Sequence, residues 1–579
     1  MTLKCDVLIL GGGPAGSTTG TLLKKYNPDL KVVILEREKF PRDHIGESQL
    51  PAICEVLEEM GCWDKVEAAE FPIKIGATYR WGTTDEFWHL NFLFDEQFKD
   101  QARPAKYKGQ RRATAFQVDR SVYDEILLDH AAESGCEVYQ EVRALKVNRD
   151  GDRVTSVELG ANETALKDVQ SIEARYYVDA TGNSGLLRRA MGVEIDSPTN
   201  LRNIAMWDYW QNAEWAVNIG VGGTRIQVMS LGWGWIWFIP LSATRTSIGL
   251  VTPAEYYKKS GKKTEELYME ALASEPLIGK LTSHAHRENK FTTTNDWSYV
   301  ADRLSGENWF LVGDSCGFAD PILSAGMTLA HTAGRRVAYA ILELDRGTVE
   351  AEWVRESYDR SQKDQIRHHI RFADFWYSAN TRFTELKENC SAIAKHAGLT
   401  LEADAAFQWM STGGFTNDDL GSAHAGTFSM SAMKAMAAEF TGGQIGWAIT
   451  KNNHFKMNLV GATEGIVAHL EEGRMVPVKC YFRDGKKLPI FGLYAIVQTA
   501  VLQYSDAQQL VDYFRDYFAV NRKYITAETG VYNALQTMES MVTEGWIKAS
   551  VNPKRPNIDV KSVGLPRSKD AIHQMATKE

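Results

Sequence analysis

Short apolar runs and helical patterning alternate over the first forty residues. Residues 5–10 form an apolar run of the kind found inside parallel sheets, the stretch after Gly16 reads as a helix, and residues 31–35 supply a second apolar strand. Residues 71–100 read as aromatic-rich strands. A helix is expected at about 119–135, with strands near Val138 and at 176–179. Between 200 and 300 the pattern mostly alternates, which predicts an antiparallel sheet. A strand returns at 308–312, and a long helix begins near Gly326. Beyond about 345 the pattern is mostly helical, with a hairpin signal at 480–485 and amphipathic stretches at 507–517 and 531–546.

The first turn carries chemistry. Gly11, Gly13 and Gly16 follow the first strand directly, with Pro14 and Ala15 between the last two, and Glu36 ends the second strand twenty positions past Gly16. Gly11 allows a tight turn, Gly13 lets a diphosphate approach the backbone, and Gly16 lets the helix pack closely on its strand. The unpaired N–H groups and positive dipole end of that helix suit a diphosphate, while Glu36 can accept hydrogen bonds from ribose hydroxyls, beside Arg37. The chain therefore reads as binding a dinucleotide.

Composition limits the remaining classes. At 579 residues the chain is too long for one core, and 44% apolar with 24% charged residues is globular. A net charge of −9 argues against nucleic acid and anionic membranes as partners. The longest apolar stretch, residues 491–504, is interrupted by Gln498 and Gln503, so no membrane span is expected. The strand begins almost at Met1, which leaves no room for a secretory signal, and seven cysteines without a CxxC pair fit a reducing compartment. These features together predict a cytoplasmic protein, and no metal site is expected.

Further signals separate FAD from NAD. Residues 179–182 (Asp-Ala-Thr-Gly) close a strand with small residues, Gly313-Asp314 follows another strand, and Gln117 to Arg120 precede a helix containing Tyr123 and Leu127. Each alone is a satisfied turn or helix cap. In this order they resemble the FAD proteins of the aromatic-hydroxylase type over about residues 1–345. The implied fold class is α/β: an FAD-binding three-layer ββα fold, discontinuous, with an antiparallel-sheet substrate region inserted at about 190–300. A mostly helical C-terminal domain would occupy 346–579.

Two motifs narrow the resemblance. Trp235-Ile236-Trp237-Phe238-Ile239-Pro240 matches the WxWxIP signature of flavin-dependent halogenases, and residues 318–326, from Phe318 through Pro321 and Ser324 to Gly326, match their FxxPxxSxG pattern. Residues 42–48, with Ile45, Gly46 and Ser48, look like the segment covering the flavin in that family. A strand with core tryptophans is the plain alternative for WxWxIP. On physical grounds, Ser324, Ala325 and Gly326 stand just before a helix, where backbone N–H groups can hold a halide. The plain alternative is a loop that touches only the flavin. The resemblance implies FAD bound through the residues named, together with Asp314, Pro321 and Gly326, and used as FADH2 from a separate NAD(P)H-dependent flavin reductase. It also implies chloride or bromide oxidised to hypohalous acid, with Trp235 and Trp237 keeping the organic substrate off the flavin and a lysine receiving the oxidant. Lys74, in apolar surroundings, is the candidate lysine, with its ammonium pKa depressed by desolvation.

Tryptophan halogenases carry a glutamate immediately before the serine of the anion loop; here that position is Leu323. An indole ring carbon would lack its base, whereas a phenol or pyrrole stabilises the cationic intermediate itself. The implied branch is the phenol and pyrrole type, acting on a small aromatic substrate that is free or presented by a carrier protein. Tyr79, Trp81, Trp207, Tyr209 and Trp210 could line a flat pocket or simply pack a core. The C-terminal third shapes an entrance, docks a carrier, or caps the substrate region. Rival readings are an NAD(P)H-dependent aromatic hydroxylase, a geranylgeranyl-reductase-like flavoprotein and a catalytically silent flavin binder.

Overall fold

The computed structural model describes residues 1–93, 98–99, 101–295, 298–398, 416–417, 422–425, 428–441, 446–521 and 527–558. Two compact units emerge. The first comprises Met1–Asp374, Thr381–His396 and Glu472–Met475, and the second Phe375–Asn380, Ala397–Glu471 and Val476–Glu579. Among the described residues no helix is long and apolar enough to cross a membrane.

Two large sheets dominate the first unit, beside a small one of Ile195–Asp196, Tyr299–Ala301 and Gly317–Phe318. In one, parallel strands run in the order Glu137–Tyr139, Val32–Leu35, Thr2–Leu10, Ser171–Asp179 and Trp309–Leu311. Ala144–Asp150 and Arg153–Leu159 form an antiparallel hairpin on the long strand 171–179. The apolar runs predicted to be parallel strands are buried: residues 7–10 and 32–35 are almost solvent-free. Each such side chain contributes about 1.5–3 kcal/mol. Helix Pro14–Tyr26 packs on this sheet and against the long helix Gly326–Arg346. The chain thus returns to the nucleotide-binding layer after more than three hundred residues, which makes that layer discontinuous.

The second sheet has nine strands. Asn203–Gln211, Arg245–Pro253, Trp235–Pro240 and Gly223–Ser230 are antiparallel neighbours in that order. Gly223–Ser230 then pairs in parallel with Ile73–Arg80, which carries Trp88–Asn91 and Ala115–Phe116 antiparallel beside it. The sheet therefore reaches beyond residues 190–300, because strands from 73–116 complete its far edge. The parallel junction has a bulge: Thr224 pairs with Lys74 and Arg225 with Gly76, so Ile75 is the extra residue. Ile73 and Ile75 nonetheless pack in one apolar cluster with Phe98, which leaves Lys74 between them to point to the opposite face.

In the second unit, helices Gly492–Gln503, Ala507–Val520 and Ala527–Thr543 pack together. Asp506 caps the middle one by accepting from Gln508 N and Gln509 N. Thr463–Glu471, Arg474–Arg483 and Lys486–Pro489 form a three-stranded sheet, with the turn Asp484-Gly485 where the hairpin signal lies. A second pair joins His454–Met457 to Ile547–Ser550.

Candidate active site

The glycine-rich turn is dictated by crowding. A Cβ on Gly16 would lie 2.0 Å from Gly11 O, and one on Gly11 would lie 2.3 Å from Ala180 O, at a φ of +109° that side chains avoid. Gly16→Ala is therefore expected to lose FAD retention by at least tenfold, read as flavin absorbance after desalting, while the apoprotein keeps its far-UV spectrum. Glu36 is 5% exposed and accepts from Gly12 N at 2.9 Å and Glu38 N at 3.0 Å, each oxygen keeping a lone pair for a ribose hydroxyl. Arg37 is exposed, close to Ser184 and Glu38.

Several buried polar atoms have no hydrogen-bond partner among the described residues: Ser48 Oγ, both amide atoms of Gln49 and Gln117, and Thr328 Oγ1. A buried polar atom left alone costs about 1–3 kcal/mol, so such a group calls for a ligand. Ile45 O and Gly46 O accept from Arg120 Nη1 at 2.9 and 3.1 Å, and Ser48 bridges to Gln117. Arg120 also holds Asp124 at 2.6 and 2.8 Å. Burial alone would raise the Asp124 carboxyl, but the guanidinium beside it outweighs that and lowers it. Asp314 keeps some solvent contact yet is hemmed in by protein, and this desolvation pushes its carboxyl up to about 6 against the pull of Arg120. Arg42, whose Nη2 would lie 3.7 Å from a Cβ on Gly13, points at the dinucleotide turn. It is the first residue of the 42–48 segment.

The loop 320–326 is strained at one residue. Asp320 caps the short turn Pro321–Leu323 by accepting from Ile322 N at 2.9 Å, and Ser324 then takes a left-handed φ of +56°. A non-glycine residue there costs about 1 kcal/mol and marks a constraint. Ser324 N–H is committed to Pro321 O at 2.9 Å. That leaves Ala325 N–H and Gly326 N–H, at the start of the 21-residue helix, facing outward from its first turn. A Cβ on Gly326 would meet the Phe318 ring at 2.7 Å. His331, one turn on, bridges Thr18 and Tyr123 at 2.8 Å on each side. Burial first, and Arg120 second, push its pKa down to about 3, so it stays neutral.

Lys74 meets this loop: its Nζ donates to Ser324 Oγ at 3.3 Å across 250 residues of sequence. Lys74 is 1% exposed, has no carboxylate ion-pair partner among the described residues, and lies 5.4 Å from the Phe92 ring centroid. Burial pushes its pKa down to about 7. A primary amine poised near neutrality is able to share or carry an electrophile.

The tryptophans form a connected wall. Trp235 and Trp237 are 6.0 Å apart, Trp207 lies 6.4 Å from Trp237, and Trp81 lies 6.4 Å from Trp235. Tyr79 instead stacks on Trp88 at 4.8 Å, Tyr209 lies under the Arg245 guanidinium at 3.8 Å, and Trp210 donates to Tyr268 OH at 2.8 Å. Of the five aromatic residues expected around a flat pocket, Trp81 and Trp207 join the wall.

Residues 4–373 match the FAD binding domain family. The chain is 33% identical over 384 residues to the tryptophan 2-halogenase of Chondromyces crocatus, an alignment covering 65% of this chain and 68% of that protein. The chain belongs to the flavin-dependent halogenases. This halogenase is also 30% identical to the 1H-pyrrole-2-carbonyl-(peptidyl-carrier protein) chlorinase of Pseudomonas fluorescens, across 66% of its own length and 85% of that enzyme. It shares its fold with CmlS, a flavin-dependent halogenase, at a TM-score of 0.70 and 23% identity over 96% of this chain and 98% of the other. The halogenase is thus an oxidoreductase with an FAD-binding α/β fold, and the orphaned atoms at Ser48, Gln117 and Thr328 fit that cofactor.

Proposed function

We propose that this halogenase attaches chloride or bromide to an electron-rich phenolic or pyrrolic ring, free or tethered to a carrier protein. The observation carrying this reading is the approach of Lys74 to Ser324, because it brings a buried amine to the loop best suited to a small anion. In this reading Gly11, Gly13, Pro14, Ala15 and Gly16 hold the diphosphate, and Glu36 and Arg37 the adenosine end. Ile45, Gly46, Ser48, Gln117, Arg120, Asp314, Pro321 and Gly326 surround the flavin. Bound FAD, reduced by a separate NAD(P)H-dependent flavin reductase, supplies the electrons that activate oxygen.

The loop 324–326 holds the halide through the N–H groups of Ala325 and Gly326, with Ser324 contributing its hydroxyl because its own N–H is bonded to Pro321 O, so that the halide keeps its nucleophilicity. Lys74 receives the oxidised halogen and presents it to the ring, by hydrogen bond or as a haloamine. Trp235 and Trp237 exclude the ring from the flavin chamber and so suppress hydroxylation. Leu323 provides no base, and a phenol or pyrrole needs less help because its lone pair stabilises the cation formed on attack. The relative that chlorinates a pyrrole on a peptidyl-carrier protein supports the tethered form.

The test supplies purified enzyme with FAD, a flavin reductase and NADH, with chloride or bromide. Acceptors are a panel of free phenols, free tryptophan and a pyrrolyl thioester on a carrier protein. Mass spectrometry is expected to show halogenated phenol or pyrrole and unchanged tryptophan. Hydroxylated product formed without halide, or efficient halogenation of tryptophan, overturns the reading.

A further inference from the structure

A buried carboxyl beside the cofactor segment is left unused by the reading above. Glu47 is 2% exposed, and among the described residues neither carboxyl oxygen makes a hydrogen bond of good geometry. Its backbone is fixed, since Val118 N–H donates to Glu47 O at 2.8 Å beside the Ser48–Gln117 bridge. The side chain turns instead to the nine-stranded sheet and faces the hydroxyls of Ser247 and Tyr209, which are cross-strand neighbours. Arg245, Asp119 and Arg120 are the charged groups around it. Burial dominates and pushes the Glu47 carboxyl up to about 8. Ser247, Tyr209 and Arg245 pull it down, and Asp119 adds to the rise.

Ser247 leads onward. Trp237 Nε1–H donates to Ser247 Oγ at 3.1 Å, which occupies a lone pair and leaves the hydroxyl proton available to an acceptor such as Glu47. One carboxyl thus stands between the segment that covers the flavin and the indole wall. We propose that Glu47 is a positioning residue that couples the covering segment to Trp237 through Ser247. The coupling rests on the role proposed for the wall. An ionised Glu47 would be a charge buried away from water, a costly state that relaxes by moving the side chain and the segment attached to it. Tyr209 is held far above its ordinary range, so it stays neutral while Glu47 titrates. Lys74 titrates near 7, on the acid side of Glu47.

The test uses FAD-loaded enzyme and two readouts between about pH 6 and 10: absorbance of the oxidised flavin, and halogenated product per oxygen consumed. In the native enzyme a step in the flavin spectrum is expected near pH 8. Product yield is expected to fall roughly tenfold per unit above about pH 9, following the neutral fraction. Glu47→Gln should lack the step and the alkaline fall while keeping any acid limb from Lys74. Ser247→Ala should keep the step, since the acid remains, but give the low yield at every pH. No step in the native enzyme, a step that survives Glu47→Gln, or native yield in Ser247→Ala overturns the coupling. If a Glu47-dependent step is found and no acceptor is halogenated, the functional reading fails while the link between Glu47 and the flavin stands.

Discussion

Lys74→Met is expected to abolish halogenated product and to stabilise the protein. The first effect follows from removing the nucleophilic amine from the anion loop while keeping a chain of similar length. Oxygen consumption with reduced FAD should continue, because the substitution leaves the dinucleotide turn untouched. The second effect comes from burial. The Lys74 ammonium is pushed down to about 7 from an ordinary 10.5, so the unfolded chain binds the extra proton between those values. Lys74 therefore destabilises the fold most below pH 7, and the cost fades as pH rises towards 10.5. The methionine variant should gain on the order of 2–4 kcal/mol at pH 6 and progressively less at alkaline pH, measured by denaturant unfolding. Native product yield from the variant, or equal stability at pH 6, contradicts the assignment.

Gly249→Ala should have the next largest effect, although it adds a single methyl group. Gly249 pairs with Trp237 across the sheet, and a Cβ there would lie 2.1–2.4 Å from three atoms of the indole. Nothing flexible yields: Trp237 is 4% exposed and wedged beside Trp207 and Trp235. The ring must rotate, losing its bond to Ser247. A stability cost of about 1–3 kcal/mol is expected from overpacking. Halogenated product per oxygen consumed should fall at least tenfold, with hydrogen peroxide rising to match. A crystal structure with Trp237 unmoved and a normal yield would refute this account of the wall.

Much of the nucleotide-binding layer is legible in the sequence because its signals are local. Gly11 to Glu36 encode a turn, a helix start and a strand end within forty residues, and the fold follows from them. Trp235 and Trp237 are legible for the same reason: two positions apart on one strand, they share a face. What is not legible depends on pairing over long separations. Gly249 is an unremarked strand glycine until the antiparallel register sets it against Trp237. Glu47 looks like a solvated acid until Tyr209 and Ser247 close over it. Trp210 looks like a pocket residue, yet the strand turns it away from its neighbour Tyr209 and onto Tyr268. The bulge at Ile75 has no local signature, and it lies next to Lys74.

Arg245 gives the salt concentration a second meaning. It grips Asp119, Glu288 and Asp43, and Lys290 grips Asp43 as well. Asp43 and Lys290 are 35% and 51% solvent-exposed at their side chains. Mobile ions weaken such attractions, since the screening distance shrinks from about 10 Å at 0.1 M to about 3 Å at 1 M. On the proposed reading, sodium chloride or bromide added to saturate the reaction is also an electrolyte that loosens the ion pairs holding residues 42–48 to the sheet. A rate that climbs and then declines with added salt would carry both contributions, and an inert perchlorate series at matched ionic strength would separate them.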